Sequence, residues 1–217
     1  MIVDVRRYTL RPGQLAPYLA MYGEGGYAAQ ARHLGPALGW FVSDVGPQNQ
    51  VIHLWGYKDM ADLDLRRRAM ASDPEWVGIR DGMKGLFEEQ ETRLMSAVEG
   101  LPYTRSPAAP GLVDIRIYTL HHGVMPDFLA FLRTHAAPIQ ARHWPDNLAY
   151  LVSQTGPQNQ VMHVWGHADH SERLARRARL LADPEWQDCL KSILPRVKRM
   201  ETLTATPAPF WSRPGEV

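Results

Sequence analysis

From Val3 to Leu10 apolar and polar side chains alternate until Pro12-Gly13 breaks the pattern, so the chain is expected to begin with a half-buried strand ending in a turn. Residues 15–32 follow with helical character. Leu38 to Val45 and Gln50 to Tyr57 read as two strands joined by Gly46-Pro47-Gln48-Asn49, a hairpin signal. Residues 59–71 look helical and run into Asp73-Pro74-Glu75-Trp76. That tetrapeptide opens another helix: Asp73 caps free amides, Pro74 suits the first helical position, and Glu75 faces the positive end of the dipole. A strand near residues 87–95 closes the order strand, helix, hairpin, helices, strand, which is the ferredoxin-like βαββαβ arrangement.

The same pattern then repeats. Gly46-Pro47-Gln48-Asn49-Gln50-Val51 returns as Gly156-Pro157-Gln158-Asn159-Gln160-Val161, and residues 3–93 lie over 113–203 without a gap. The second copy is expected to place strands at residues 113–120, 148–155, 160–167 and 197–204 and helices at 125–142, 169–181 and from 183, with Pro138 bending or ending the first helix. Two long copies exclude a short-repeat solenoid and predict two small domains, 1–97 and 112–205. Residues 98–111, rich in Pro, Ser and Ala, read as a linker, and 206–217 as an extended tail. Their Pro102-Tyr103 and Pro209-Phe210 steps are expected to lie across a neighbouring surface.

Helices cover one face of such a sheet, so the other needs a partner. Packing the two sheets face to face as an α/β barrel within one chain buries both and gives an α+β fold with an interior. Ile52, Leu54, Met162 and Val164 form an apolar set expected to pack under the helices, as do Val3 and Val5. His53, Trp55, Asp4, Arg6 and Tyr8 would then point into the barrel, with His163, Trp165, Asp114, Arg116 and Tyr118.

Composition narrows the class without redirecting it. With 45% hydrophobic and 22% charged residues the chain is an ordinary globular protein, and a net charge of +1 argues against nucleic acid as a partner. A single cysteine, Cys189, permits neither an internal disulfide nor a thiolate zinc site. A strand pattern starting at Ile2 and the lack of a long apolar run argue against membrane insertion, so a cytoplasmic protein is expected.

The opening Arg-x-Tyr-Thr-Leu-x-x-Gly, the Gly-Pro-Gln-Asn-Gln-Val-x-His-x-Trp hairpin and the Asp-Pro-Glu-Trp cap resemble the NIPSNAP family, in the right order and in both copies. The resemblance implies the dimeric α/β-barrel fold. It chooses no activity, because relatives of that barrel include cofactor-free monooxygenases, isomerases, cyclising or dehydrating enzymes and haem enzymes.

The repeated polar residues are the candidates for chemistry. His53 and His163 suit proton transfer in an enclosed space, or are core histidines satisfied by neighbours such as Tyr8 or Gln50. Arg6 and Arg116 can hold a carboxylate or enolate, or pair with Asp4 and Asp114. Tyr8 and Tyr118 can orient a substrate or donate a proton. Trp55 and Trp165 offer stacking surfaces or fill the core. Asn49 and Asn159 stand at the turn, as substrate contacts or as residues that accept unusual backbone angles. Arg32 and His33, with Arg142 and His143, close the first helix of each copy, serving its dipole or a pocket mouth. Glu91 and Glu201 are further candidate bases, while the arginines around Arg67 and Arg177 read as a solvated ridge.

No nucleotide loop, nucleophile elbow or metal-spaced cluster appears, so no cofactor and no metal are expected. Seven of nine histidines lie in the second half, and His163 and His167 share a strand face. The leading expectation is a small-molecule binder, or a cofactor-independent enzyme for isomerisation, cyclisation or oxygenation, with the ligand in the barrel interior. The alternative is a non-catalytic interaction protein with a filled core. Either permits a homodimer of the two-domain chain.

Overall fold

The computed structural model describes residues 1–101 and 110–212. The chain divides into two compact units, Met1–Met95 with Ala205–Val217, and Ser96–Thr204. In the first unit β1 (Ile2–Leu10) and β2 (Gly39–Val45) flank β3 (Gln50–Tyr57) antiparallel, and β4 (Phe87–Ala97) lies beside β1. Its helices are α1 (Leu15–Met21), α2 (Tyr27–Leu34), α3 (Met60–Ala71) and α4 (Pro74–Gly82). The second unit repeats this with β5 (Leu112–Leu120), α5 (Met125–Phe131), α6 (Ala137–His143), β6 (Asn147–Ser153), β7 (Gln160–His167), α7 (His170–Ala182), α8 (Pro184–Ile193) and β8 (Val197–Pro207). β5 and β6 flank β7, and β8 lies beside β5.

Each sequence signal has a local cause in the structure. Asp59, Asp73, Asp169 and Asp183 all stand in extended conformation at helix starts, their carboxylates accepting from the amides of Asp62, Glu75, Glu172 and Glu185. Asn49 and Asn159 adopt φ of 56° and 58°, the left-handed region asparagine tolerates. Their carbonyls accept from Leu10 and Leu120, tying each hairpin turn to the first strand of its unit.

The first helix of each unit differs from a plain α-helix. It is interrupted by a wider, π-type turn, at Tyr22–Gly26 and again at Leu132–Ala136. Pro138 sits in the first turn of α6, just past the second interruption, but Ala28 occupies that place in the first unit, so proline is not the common cause.

The last strands run further than the alternation pattern indicates. β4 ends at Ala97, and Val98 N–H donates to Tyr150 O inside the second unit. β8 ends at Pro207, and Ala208 N–H donates to Trp40 O inside the first. Each unit is thus completed by a segment from the other repeat. The segment after β8 does lie across a surface of the first unit, with Phe210 against Tyr22, Tyr27 and Trp40; Pro102-Tyr103 falls outside the described residues.

Candidate functional site

The expected sidedness of the sheets is reversed. In the first unit Tyr18 of α1 packs on Trp40, Tyr27 of α2 lies near Trp55, and Asp4 accepts from Arg67 of α3. In the second, Trp165 and Val161 share a core with Phe128, Ile139, Leu180 and Trp186 from α5 to α8. His53, His163 and their neighbours therefore face the helices rather than a barrel interior. Val3, Val5, Ile52, Leu54, Val113, Ile115, Met162 and Val164 form the opposite, buried face. A period of two sorts residues into faces but does not say which face the helices cover. The mixed face tolerates helices because its charges arrive already paired.

That pairing is explicit in both units. Arg6 Nε donates to Asp4 Oδ2 at 2.8 Å, and Arg67 of α3 adds a second contact at 2.5 Å. Arg116 Nη2 donates to Asp114 Oδ2 at 2.8 Å, and Arg173 of α7 adds one at 2.7 Å. Burial opposes charge on Asp114, but hydrogen bonds and positive charge from Arg116 and Arg173 outweigh it and hold the carboxyl below its usual range. Burial likewise opposes charge on Arg116, and Asp114 more than restores it. The Arg116 guanidinium also lies 4.5 Å from the ring centre of Trp144.

The paired histidines have different surroundings. His53 Nδ1 accepts from Trp55 Nε1 at 2.7 Å, and its ring stacks on Trp40 with centroids 5.0 Å apart. His163 is 1% exposed, lies edge-to-face with Tyr118 and Tyr150, and has no hydrogen-bond partner for either ring nitrogen among the described residues. Burial, then the Arg116 charge, push His163 down to about 3, with Asp114 a partial offset. Burial and Arg6 similarly push His53 well below the usual histidine range. Both rings are neutral near pH 7.

His163 opens onto a cavity of about 330 Å³ between the sheet and helices of the second unit. Arg116 and Tyr118 share its wall with Gln140 of α6 and Trp144, and exposed Arg177 stands on its lining. Gln140 accepts from Tyr150 Oη at 2.9 Å. In the first unit Tyr18, Tyr22, Trp40, Phe87 and Tyr8 make a continuous cluster of rings around His53.

Several sequence candidates lie elsewhere. Arg32 and His33 both bind the carboxylate of Asp73, at 2.5 and 2.6 Å, fastening α2 to the cap of α4. Arg142 and His143 do the same with Asp183, at 3.3 and 2.8 Å. Asn49 and Asn159 are occupied as turn residues. Glu91 pairs with Arg7 and Arg93, and Glu201 with Arg199. His167 is buried, with no partner for either nitrogen among the described residues, and burial pushes it down to about 4. Among the described residues no cluster of His, Cys, Asp and Glu is arranged to hold a metal ion, and no helix is long and apolar enough to cross a membrane. Neither Gln140 nor Trp144 was singled out from sequence, and Arg177 read there only as part of a solvated ridge. The repeated Gln30-Ala31-Arg32-His33 and Gln140-Ala141-Arg142-His143 carried a signal for the glutamine.

The eight strands follow the hydrogen-bonded order of a dimeric-type α/β barrel, and the α+β fold of the chain is that of a solved monooxygenase-like protein of Fusobacterium nucleatum. That likeness has a TM-score of 0.70 over 95% of this chain and 92% of the other at 8% identity, and it shows fold alone. The NIPSNAP family model matches twice, over residues 3–102 and 113–212, and the chain belongs to that family. It is 24% identical to the Drosophila melanogaster protein NipSnap over 79% of its own length, spanning 62% of that relative. A solved NIPSNAP family protein of Agrobacterium tumefaciens is 39% identical over 46% of this chain and 96% of its own, with a TM-score of 0.45.

Proposed function

We propose that the second unit binds a small organic molecule in the cavity between its sheet and its helices, with His163 as the polar anchor. The observation that carries this reading is a fully buried imidazole, both nitrogens unpartnered among the described residues, on the wall of a cavity of about 330 Å³. Leaving such a group unsatisfied costs about 1–3 kcal/mol, which a ligand oxygen would recover. The volume lies in the range of small-molecule sites. Apolar surface from Phe128, Leu132, Leu180 and Trp186 suits a carbon skeleton, while Arg116 and Tyr118 would favour an oxygen carrying partial negative charge.

An imidazole held near 3 is a poor general base and a good neutral hydrogen-bond partner. The geometry therefore favours recognition of a carbonyl or hydroxyl over proton abstraction. If catalysis occurs, it is polarisation of that carbonyl by Tyr118, His163 and the Arg116 charge, with no organic cofactor invoked. The first unit, where rings crowd His53, fits the non-catalytic role.

The test is native mass spectrometry of the full chain purified from its own source, beside His163→Phe and Leu190→Trp, Leu190 of α8 being part of the cavity wall. A retained organic mass on the wild type that is lost in both variants supports the reading. A wild type carrying no organic mass, or variants that retain it unchanged, would sink it.

A further inference from the structure

The two units differ at a second place, beside α6. In the first unit Phe210 stacks on Tyr22 and lies tilted against Tyr27, both at 5.7 Å, and meets Trp40 edge-on at 4.9 Å. Trp211 Nε1 donates to Ala37 O, and Tyr27 Oη receives the Ala37 amide. Three aromatic side chains, Tyr27, Phe210 and Trp211, fill that place. Their counterparts by the repeat are Ala137, Gly100 and Leu101. The space is open in the second unit: a cavity of about 240 Å³ is lined by these three with Tyr150, Trp144 and Trp165. Among the described residues Trp165, 1% exposed, has no partner for its indole N–H, whereas Trp55 in the first unit gives its N–H to His53. Trp144 is 1% exposed and its indole N–H is likewise unpartnered.

We propose that this slot is a second binding site, taking one aromatic ring that carries a hydrogen-bond acceptor. The ring would occupy the position Phe210 holds in the first unit, edge-on to Tyr150 as Phe210 is to Trp40, with its oxygen accepting from Trp165 Nε1. Shape comes from the missing side chains and polarity from the orphaned indole. A dry cavity near 150 Å³ already admits benzene, so this volume accommodates a substituted ring. The site is separate from the anchor at His163, although Trp144 walls both cavities.

The probe pair is p-cresol and toluene, alike in shape and differing in the acceptor. Of the seven tryptophan indole signals in a nitrogen–proton spectrum of the full chain, the one absent from Trp165→Phe belongs to Trp165. It is expected to move on titration with p-cresol, which should bind about fivefold tighter than toluene. Trp165→Phe should erase that preference while still binding toluene, and Ala137→Phe should abolish binding of both. His163→Phe should leave the slot intact, which separates failure here from failure of the first cavity. The proposal is overturned if the Trp165 signal ignores p-cresol, if Trp165→Phe keeps the preference, if Ala137→Phe binds as the wild type does, or if binding appears only after Tyr103→Ala.

Discussion

The two units share the order of their strands, the hairpin turns and the aspartate caps, yet they part around the buried histidine. Tyr18, Tyr22, Tyr27, Trp40 and Phe87 of the first correspond to Phe128, Leu132, Ala137, Tyr150 and Val197 of the second, each smaller. Of these, Phe128 and Leu132 line the cavity at His163 and Ala137 and Tyr150 line the slot beside α6, while Trp144, in place of Leu34, walls both. Hydrogen bonding diverges with volume, since Trp55 donates to Nδ1 of His53 and leaves only its Nε2 without a partner, while among the described residues neither nitrogen of His163 has one. Duplication has thus kept the frame and changed the filling. A packed copy can hold the fold while an emptied one leaves room for the ligand proposed above.

The acidic residues at the centre of each sheet should show the largest and most symmetrical effect. Asp4→Ala strands Arg6 and Arg67, and Asp114→Ala strands Arg116 and Arg173. Each is expected to lose about 3–5 kcal/mol, the usual cost of an uncompensated buried charge, read from the denaturant midpoint. A strongly unequal pair would break the equivalence of the frames.

Exchanging residues around the histidine should be asymmetric. Tyr22→Leu removes a ring from a packed cluster and should cost about 2 kcal/mol, whereas Leu132→Tyr places one where there is room and should cost less than about 1 kcal/mol. Equal losses in thermal denaturation would mean that the second unit is as tightly filled as the first.

The pH dependence follows from the buried imidazoles. His163 titrates near 3 and His167 near 4 when folded, against about 6.5 unfolded, so the unfolded chain binds more protons between those values. Stability is fully present above about 6.5 and falls as pH drops toward 3. His163→Phe should flatten that fall, as urea midpoints at pH 7, 5 and 4 would register. An unchanged slope would remove His163 from the set of buried neutral groups.

The smallest effects belong to the exposed clamps. Arg32→Ala and Arg142→Ala each delete an ion pair with a helix cap at the surface, and both should leave the denaturation midpoint within experimental error. A loss confined to Arg142→Ala would give that residue a task beyond the clamp.

The elements themselves were legible because their signals are local. Alternation marks β1 and β5, the Gly-Pro-Gln-Asn turn fixes the hairpins, and Asp73-Pro74 announces α4 through bonds made within a few residues. The repeat likewise announced two like units, and its pairing of Arg with Asp was readable as chemistry, whereas the partner of His53 is Trp55 rather than the expected Tyr8 or Gln50. The wider turns at Tyr22–Gly26 and Leu132–Ala136 escaped notice, since they leave the helical pattern intact on either side.

Sidedness was another matter. Alternation puts Arg6, Tyr8 and His53 together on one face and Val5 and Leu54 on the other, but burial of both faces removes the polar–apolar contrast that would orient them. Tertiary structure alone turned the charged face toward the helices, because Arg67 and Arg173 arrive from α3 and α7 to complete its ion pairs across distant sequence. It alone also separated a filled core from a hollow one. Sequence determined the strands, helices, caps and the identity of the two frames, all set by short-range hydrogen bonding and periodicity. Packing decided whether a histidine in one of those frames has a neighbour or a cavity, since that depends on the summed volumes of side chains from five or more elements at once.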